Sequence, residues 1–187
     1  GMLPTRNFRE GIFQGAQAIG HEALTDRYLI DRGGCFACAV RCKRVAGGGR
    51  YGADSRYGGP EYETLASFGS LCGVDDLEAI LKAHELCNRL GLDTISCGMS
   101  IAWLMECVEE GLVDPGDAVV SGFGDPEGML RLIPMIASRT GVGDLLAEGT
   151  HRAAKRLGKG SSRFCLTIKG QEMAMHDPRG KVGVALG

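Results

Sequence analysis

Between Asp75 and Leu157 one device recurs: an acidic start, apolar residues at intervals of three and four, and a glycine stop. That periodicity commits most of the chain to helices and leaves little from which to build a sheet. Asp75-Asp76-Leu77-Glu78 resembles a capping box, with Asp75 facing Glu78. It precedes Leu77, Ile80, Leu81, His84 and Cys87 at helical spacing, and Gly91 is a natural C-terminal stop. A second helix is predicted from about Thr94 to Glu110, with Ile101, Leu104, Met105 and Val108 on one face and Gly111 after it. A third starts at Asp125-Pro126, a cap followed by proline at the first helical position, and carries Met129, Leu130, Ile133 and Ile136 to Gly141. A fourth is predicted over Val142 to Leu157, with Arg152, Lys155 and Arg156 near its end, where positive charge suits the helix dipole. Upstream, Glu61 to Cys72 reads as a helix behind Pro60, and Ala46 to Gly59 as a glycine-rich surface loop. Phe164 to Ile168 reads as a short strand or extended connector. The expected fold is mainly α, an irregular multi-helix bundle in two packed helical subdomains. They would cover residues 1–115 and 116–187, with a seam near Gly111 to Asp125.

Ahead of these helices, Cys35, Cys38 and Cys42 stand at C-x2-C-x3-C spacing. Thiolates this close can turn from one tight loop onto a single soft metal centre, and an iron–sulfur cluster or zinc would suit them. A four-iron cluster or tetrahedral zinc needs a fourth ligand from elsewhere. The other cysteines of the eight, Cys72, Cys87, Cys97, Cys107 and Cys165, sit singly in apolar or helical contexts and read as packing residues in a reducing cytoplasm. Cys97 is the first candidate among them for a substitute fourth ligand. A net charge of −2 gives no electrostatic case for nucleic acid or an anionic membrane. No apolar run is long enough to span a bilayer, and no secretory signal pattern opens the chain. Gly1-Met2 looks like a remnant of tag removal ahead of an introduced start, and the whole reads as part of something longer.

Four phrases, in order, resemble the tungsten-containing aldehyde:ferredoxin oxidoreductases. Arg32-Gly33-Gly34-Cys35-Phe36-Ala37-Cys38-Ala39-Val40-Arg41-Cys42 is similar to that family's cluster loop, and Gly59-Pro60-Glu61-Tyr62-Glu63-Thr64-Leu65 to the signature that follows it. Asn88-Arg89-Leu90-Gly91-Leu92-Asp93 resembles the pterin-contacting motif, and His176-Asp177-Pro178-Arg179-Gly180 a further signature. The resemblance implies a large enzyme whose N-terminal β-rich domain embraces a tungsten (or molybdenum) bis-pterin. Its helical domains, which this chain resembles, carry a 4Fe-4S cluster. In the family the fourth cluster cysteine lies far downstream, in a second copy of the pterin motif, which would fall after Gly187. The implied activity is oxidation of an aldehyde to a carboxylic acid, with electrons leaving singly through the cluster to ferredoxin.

Carried onto this chain, the resemblance makes Cys35, Cys38 and Cys42 cluster ligands. Glu63, with Glu61 second, would be the active-site base, and His176 would donate a hydrogen bond to substrate or shuttle a proton. Asn88, Gly91, Leu92 and Asp93 would contact the pterin, with asparagine at position 88 where the family usually has aspartate. Plainer roles stand beside these: helix-start charge for the two glutamates, an N-cap for Asp93, a solvated loop for His176. Arg179 could pair with Asp177 or meet a pterin phosphate. His84 lacks the Glu-x-x-His context of the family's bridging metal and reads as a helix-face residue. Alone, the segment is expected to be inactive, with an apolar or mixed patch exposed where the N-terminal and C-terminal parts of the parent would sit, and that patch could drive homodimerisation. Two other classes compete: a stand-alone iron–sulfur electron carrier, which lacks a complete ligand set, and a zinc-stabilised helical interaction module.

Overall fold

A computed structural model of the chain describes residues 3–180 and 183. It is mainly helical, as expected. The principal helices are α1 (His21–Tyr28), α2 (Tyr62–Leu65), α3 (Leu77–Leu90), α4 (Thr94–Glu109), α5 (Pro115–Ala118), α6 (Pro126–Ser138), α7 (Val142–Leu146) and α8 (Thr150–Leu157). Two antiparallel hairpins accompany them, β1 (Leu29–Gly33) with β2 (Lys43–Ala46), and β3 (Thr167–Ile168) with β4 (Gln171–Glu172).

Helix α4 is the axis of the molecule. Every residue from Cys97 to Val108 is buried, polar Ser100 and Glu106 included. A helix apolar all round has no solvent face and must be surrounded. The turn after α2 and helices α3, α6 and α8 enclose it. Trp103 is fully buried at the centre and donates its indole N–H to Ser161 O at 3.2 Å. Ser100 meets Thr150 Oγ1 at 3.3 Å, so its hydroxyl is satisfied. One buried apolar cluster runs from Phe8 to Met175 and includes residues on both sides of position 115.

The structure refines several expected elements. The cap of α3 is Asp76, not Asp75: its Oδ1 accepts from Glu78 N (3.1 Å) and Ala79 N (3.2 Å). The other Asp76 oxygen pairs with Arg50, which also reaches Glu78 and so pins the glycine-rich loop. The helix expected over Glu61–Cys72 is four α-helical residues followed by a π-helical turn, Ala66–Ser70. The helix expected over Val142–Leu157 is two, α7 and α8. Gly149 at φ +79° breaks it, and Glu172 Oε1 accepts from Thr150 N (2.7 Å) at the new start. Sequence periodicity missed α1 and the β1–β2 hairpin altogether.

Candidate functional site

Three elements converge where α2 begins. Thr64 Oγ1 lies 2.9 Å from Thr94 Oγ1, and Ser67 Oγ donates to Thr94 O at 3.1 Å, which fastens the α2 turn to the first turn of α4. Gly98 allows this approach, since a Cβ there would lie 2.7 Å from Ser67 Cβ and 2.9 Å from Ser67 C and O. Glu172 joins the third element: its Oε2 accepts from Ser96 Oγ (3.0 Å) while Oε1 caps α8. The chain that leaves β4 is thereby laid across α2.

Tyr62 and Glu63 take hold of that crossing segment. Glu63 Oε2 accepts from Met175 N (2.7 Å), and Tyr62 Oη donates to Met175 O (2.7 Å). Glu63 Oε1 is then free to face His176 Nε2 at 3.2 Å. The rings of Tyr62 and His176 stack, centroids 5.3 Å apart and planes 16° from parallel. Burial, and secondarily the Glu63 charge, push the Tyr62 phenol above its ordinary pKa, so its proton stays on and is given to Met175 O. Residues more than a hundred positions apart form one half-exposed pair. Tyr62 belongs to the Gly59–Leu65 phrase, but the sequence assigns it no role; its only signal is adjacency to Glu63.

The remainder of the His176-Asp177-Pro178-Arg179-Gly180 phrase is an anchor. Asp177 is buried and pairs with Arg179 (Nη2 to Oδ2, 2.6 Å; Nε to Oδ1, 2.9 Å). Arg179 Nη2 also donates to Phe8 O at 2.8 Å, tying the segment to the start of the chain. The open choice for Arg179 falls on Asp177. The guanidinium beside it holds the Asp177 carboxyl below the usual carboxylate range.

At the junction of α3 and α4, Gly91 adopts φ +72° and caps α3, and a Cβ there would meet nothing within 4 Å. Leu92 packs against the core. Asp93 caps α4, its Oδ2 accepting from Ser96 N at 2.7 Å, and Oδ1 has no partner among the described residues. Leu92, Asp93, Ser96, Cys97 and Gly149 line a small cavity of about 100 Å³. Asn88 turns its amide back onto its own helix, Nδ2 donating to His84 O at 2.8 Å. His84 is buried, with Nε2 3.1 Å from Tyr57 O; burial lowers its pKa, so the neutral ring donates from Nε2. An acceptor-bearing Asp93 beside an open glycine fits a ring that offers N–H donors, which is what a pterin edge presents.

Cys35, Cys38 and Cys42 occupy the tip of the β1–β2 hairpin, between paired Gly33 and Lys43. Cys38 N donates to Cys35 O (3.1 Å), closing a turn with Ala37 at φ +57°. All three are free and exposed, and exposed Phe36 and Val40 lie between them, with Ile30 on β1. Three free thiols on one turn are donors of the type a thiophilic centre takes. Among the described residues no three His, Cys, Asp or Glu side chains converge as a metal site, and Cys35, Cys38 and Cys42 are no exception. Cys97 is no fourth ligand: it is buried, and a hydrogen bond with Cys87, then burial, push its thiol pKa well up. Glu61 stands at the N-cap position of α2 without a side-chain capping bond, largely exposed, with Oε2 3.7 Å from Arg44 Nη1.

The family described as aldehyde ferredoxin oxidoreductase, domains 2 and 3, matches residues 1–187. Tungsten-containing aldehyde ferredoxin oxidoreductases of Thermococcus kodakarensis and Pyrococcus furiosus are 39% and 37% identical over 190 residues, covering 100% of this chain and 31% of each relative. Among solved structures, the active site complex BamBC of benzoyl coenzyme A reductase with 1,5-dienoyl-CoA shares the fold. Its TM-score is 0.75 at 22% identity, over 92% of this chain and 26% of that one. The chain spans about a third of the length of the curated relatives it matches. A match along its whole length means that the chain belongs to the aldehyde ferredoxin oxidoreductase family, across domains 2 and 3.

Proposed function

We propose that this chain is the helical part of an oxidoreductase that converts aldehydes to carboxylic acids, in which Glu63 and His176 handle the protons and Cys35, Cys38 and Cys42 hold a 4Fe-4S cluster. The observation that carries the reading is the Glu63–His176 pair, 3.2 Å apart at the crossing of α2 with the segment after β4. Asp93 and Gly91 would contact a tungsten or molybdenum bis-pterin, whose bound form supplies the two-electron acceptor. Ferredoxin is the expected onward acceptor, and the exposed cysteine hairpin is where electrons would leave.

Oxidation of an aldehyde by water to a carboxylic acid releases two electrons and two protons. Both Glu63 oxygens are engaged, but differently. Oε2 is held by a backbone N–H that carries no exchangeable role, so proton traffic passes through Oε1. Oε1 takes a proton from the reacting water and hands it to Nε2 of His176, the nearest titratable group. His176 is half-exposed and can release that proton to solvent. Asp177 and Arg179 hold the backbone behind the imidazole and take no part in the transfer.

The test is aldehyde oxidation by the metal-loaded full-length parent enzyme with a one-electron dye in place of ferredoxin. Glu63→Gln keeps an acceptor for Met175 N and removes the base. It should lower kcat by about 10²–10⁴-fold, the range general-base catalysis provides. His176→Asn should fall in the same direction by less, since water can replace a relay. A Glu63→Gln variant with wild-type kcat would remove the pair from the reaction.

A further inference from the structure

The pair is held by a neighbour that neither the family phrase nor the proton chemistry assigns. We propose that Tyr62 is a positioning residue, which fixes the His176 imidazole edge-on to the Glu63 carboxylate. The inference rests on the reading of Glu63 and His176 as the proton-handling pair.

Three contacts carry it. The phenol ring lies parallel to the imidazole, 16° between planes and 5.3 Å between centroids, so it restricts rotation of the imidazole about its own side-chain axis. The phenol hydroxyl donates to Met175 O, while Glu63 receives Met175 N. The N–H and C=O of the residue before His176 are thus gripped by two consecutive residues of one helix start. Because the backbone and the ring are referred to the same two residues, a movement of α2 carries both members of the pair together. The hydroxyl proton is committed to a carbonyl, so Tyr62 acts through placement and not as an acid.

Downstream restraint does not replace this. The Asp177–Arg179 anchor and the His176 N to Ala174 O contact (2.7 Å) fix the main chain, and neither touches the ring. Ring orientation is left to Glu63 at its edge and Tyr62 on its face. An aromatic stack of this kind favours one orientation by roughly two- to tenfold, and misplacement of a proton-transfer group costs rate steeply.

The experiment compares Tyr62→Phe, Tyr62→Leu and Glu63→Gln. In the metal-loaded full-length parent enzyme, Tyr62→Phe should keep kcat within about threefold and Tyr62→Leu should lose about tenfold, with KM changed less than twofold in both. In parallel, NMR of the 187-residue chain reads the imidazole protons of His176 against those of exposed His21. The Tyr62 ring should displace the His176 signals upfield in wild type and in Tyr62→Phe, and the displacement should vanish in Tyr62→Leu. Wild-type His176 signals without that displacement would overturn the proposal even if Tyr62→Leu does not fold. Unchanged kcat in Tyr62→Leu beside an inactive Glu63→Gln would overturn it while leaving the proton pair standing. Unchanged kcat in Glu63→Gln would instead overturn the proton reading, with the NMR comparison still deciding whether Tyr62 orients His176.

Discussion

Gly98→Ala is the most direct probe of how the core sets the site. Gly98 lies inside α4, where alanine would ordinarily be an improvement of about 1 kcal/mol in helix propensity. The new Cβ, however, would lie 2.7 Å from Ser67 Cβ and 2.9 Å from the Ser67 carbonyl carbon and oxygen. Carbon–carbon contacts settle near 3.5–4.0 Å, so the π-helical turn and α4 must part by roughly 0.6–0.8 Å or more. Two of the three atoms struck are backbone, which no rotamer change can move aside. Overpacking of this kind costs about 1–3 kcal/mol, and the propensity gain offsets only part of it. Because backbone atoms are struck, the cost lies in the upper part of that range, about 2–3 kcal/mol, and the net loss of about 1–2 kcal/mol should lower Tm by roughly 2–8 °C in a chain of this size. Thermal and urea unfolding followed by far-UV circular dichroism would measure it. Because Ser67 shares its turn with Thr64, which bonds to Thr94, the displacement should also be read at Glu63 and His176. A Gly98→Ala variant as stable as wild type would refute the claim that close approach, and not chance, keeps glycine there.

Two further outcomes follow from the same contacts. Asp177→Asn should cost about 1–3 kcal/mol at neutral pH, less than a fully buried pair because Arg179 is half-exposed, as measured by urea midpoint. Its sign with pH is fixed: a carboxyl depressed in the fold contributes stability that is present above about pH 4 and is lost as pH falls through the lower folded value. Wild type should therefore lose its advantage over Asp177→Asn on acidification, and a constant difference down to pH 2 would contradict the ion pair. Brief alkylation of the metal-free native chain should modify Cys35, Cys38 and Cys42 and spare Cys72, Cys87, Cys97 and Cys107, read by peptide mass spectrometry. Burial pushes the Cys107 thiol up to about 12 and raises Cys72 further, so labelling of these before the hairpin thiols would contradict the packing.

What could be read from the sequence was whatever depends on neighbours within one turn of a helix. Helices α3, α4 and α6 were legible because their apolar spacing, caps and glycine or proline punctuation are local. The cap on α3 moved by one residue for a local reason too: Asp76, not Asp75, sits where one oxygen can reach both Glu78 N and Ala79 N. The β1–β2 hairpin was not legible, since neither Leu29–Gly33, exposed over its middle three residues, nor Lys43–Ala46, which grades from exposed to buried, shows an alternation to read. Its cysteines were legible only as donors, not as a geometry.

The break between α7 and α8 and the meeting of Glu63 with His176 were beyond local reading for one shared reason. Both depend on Glu172, whose carboxylate reaches two helix starts at once. Through Oε1 it supplies Thr150 N with the acceptor that lets α8 begin afresh after Gly149, and through Oε2 it holds Ser96 on the first turn of α4. That second bond fixes the end of β4 above the same turn to which Thr94 fastens Thr64. From there only Met173 and Ala174 intervene before Met175, so the chain arrives where Glu63 and Tyr62 can grip it. A helix interruption that looks like a defect in periodicity is therefore one half of the device that brings His176 to Glu63. Freed of Glu172, the strand end would keep its own hairpin but lose its place over α4. The ring pair should then be lost before the helical core is.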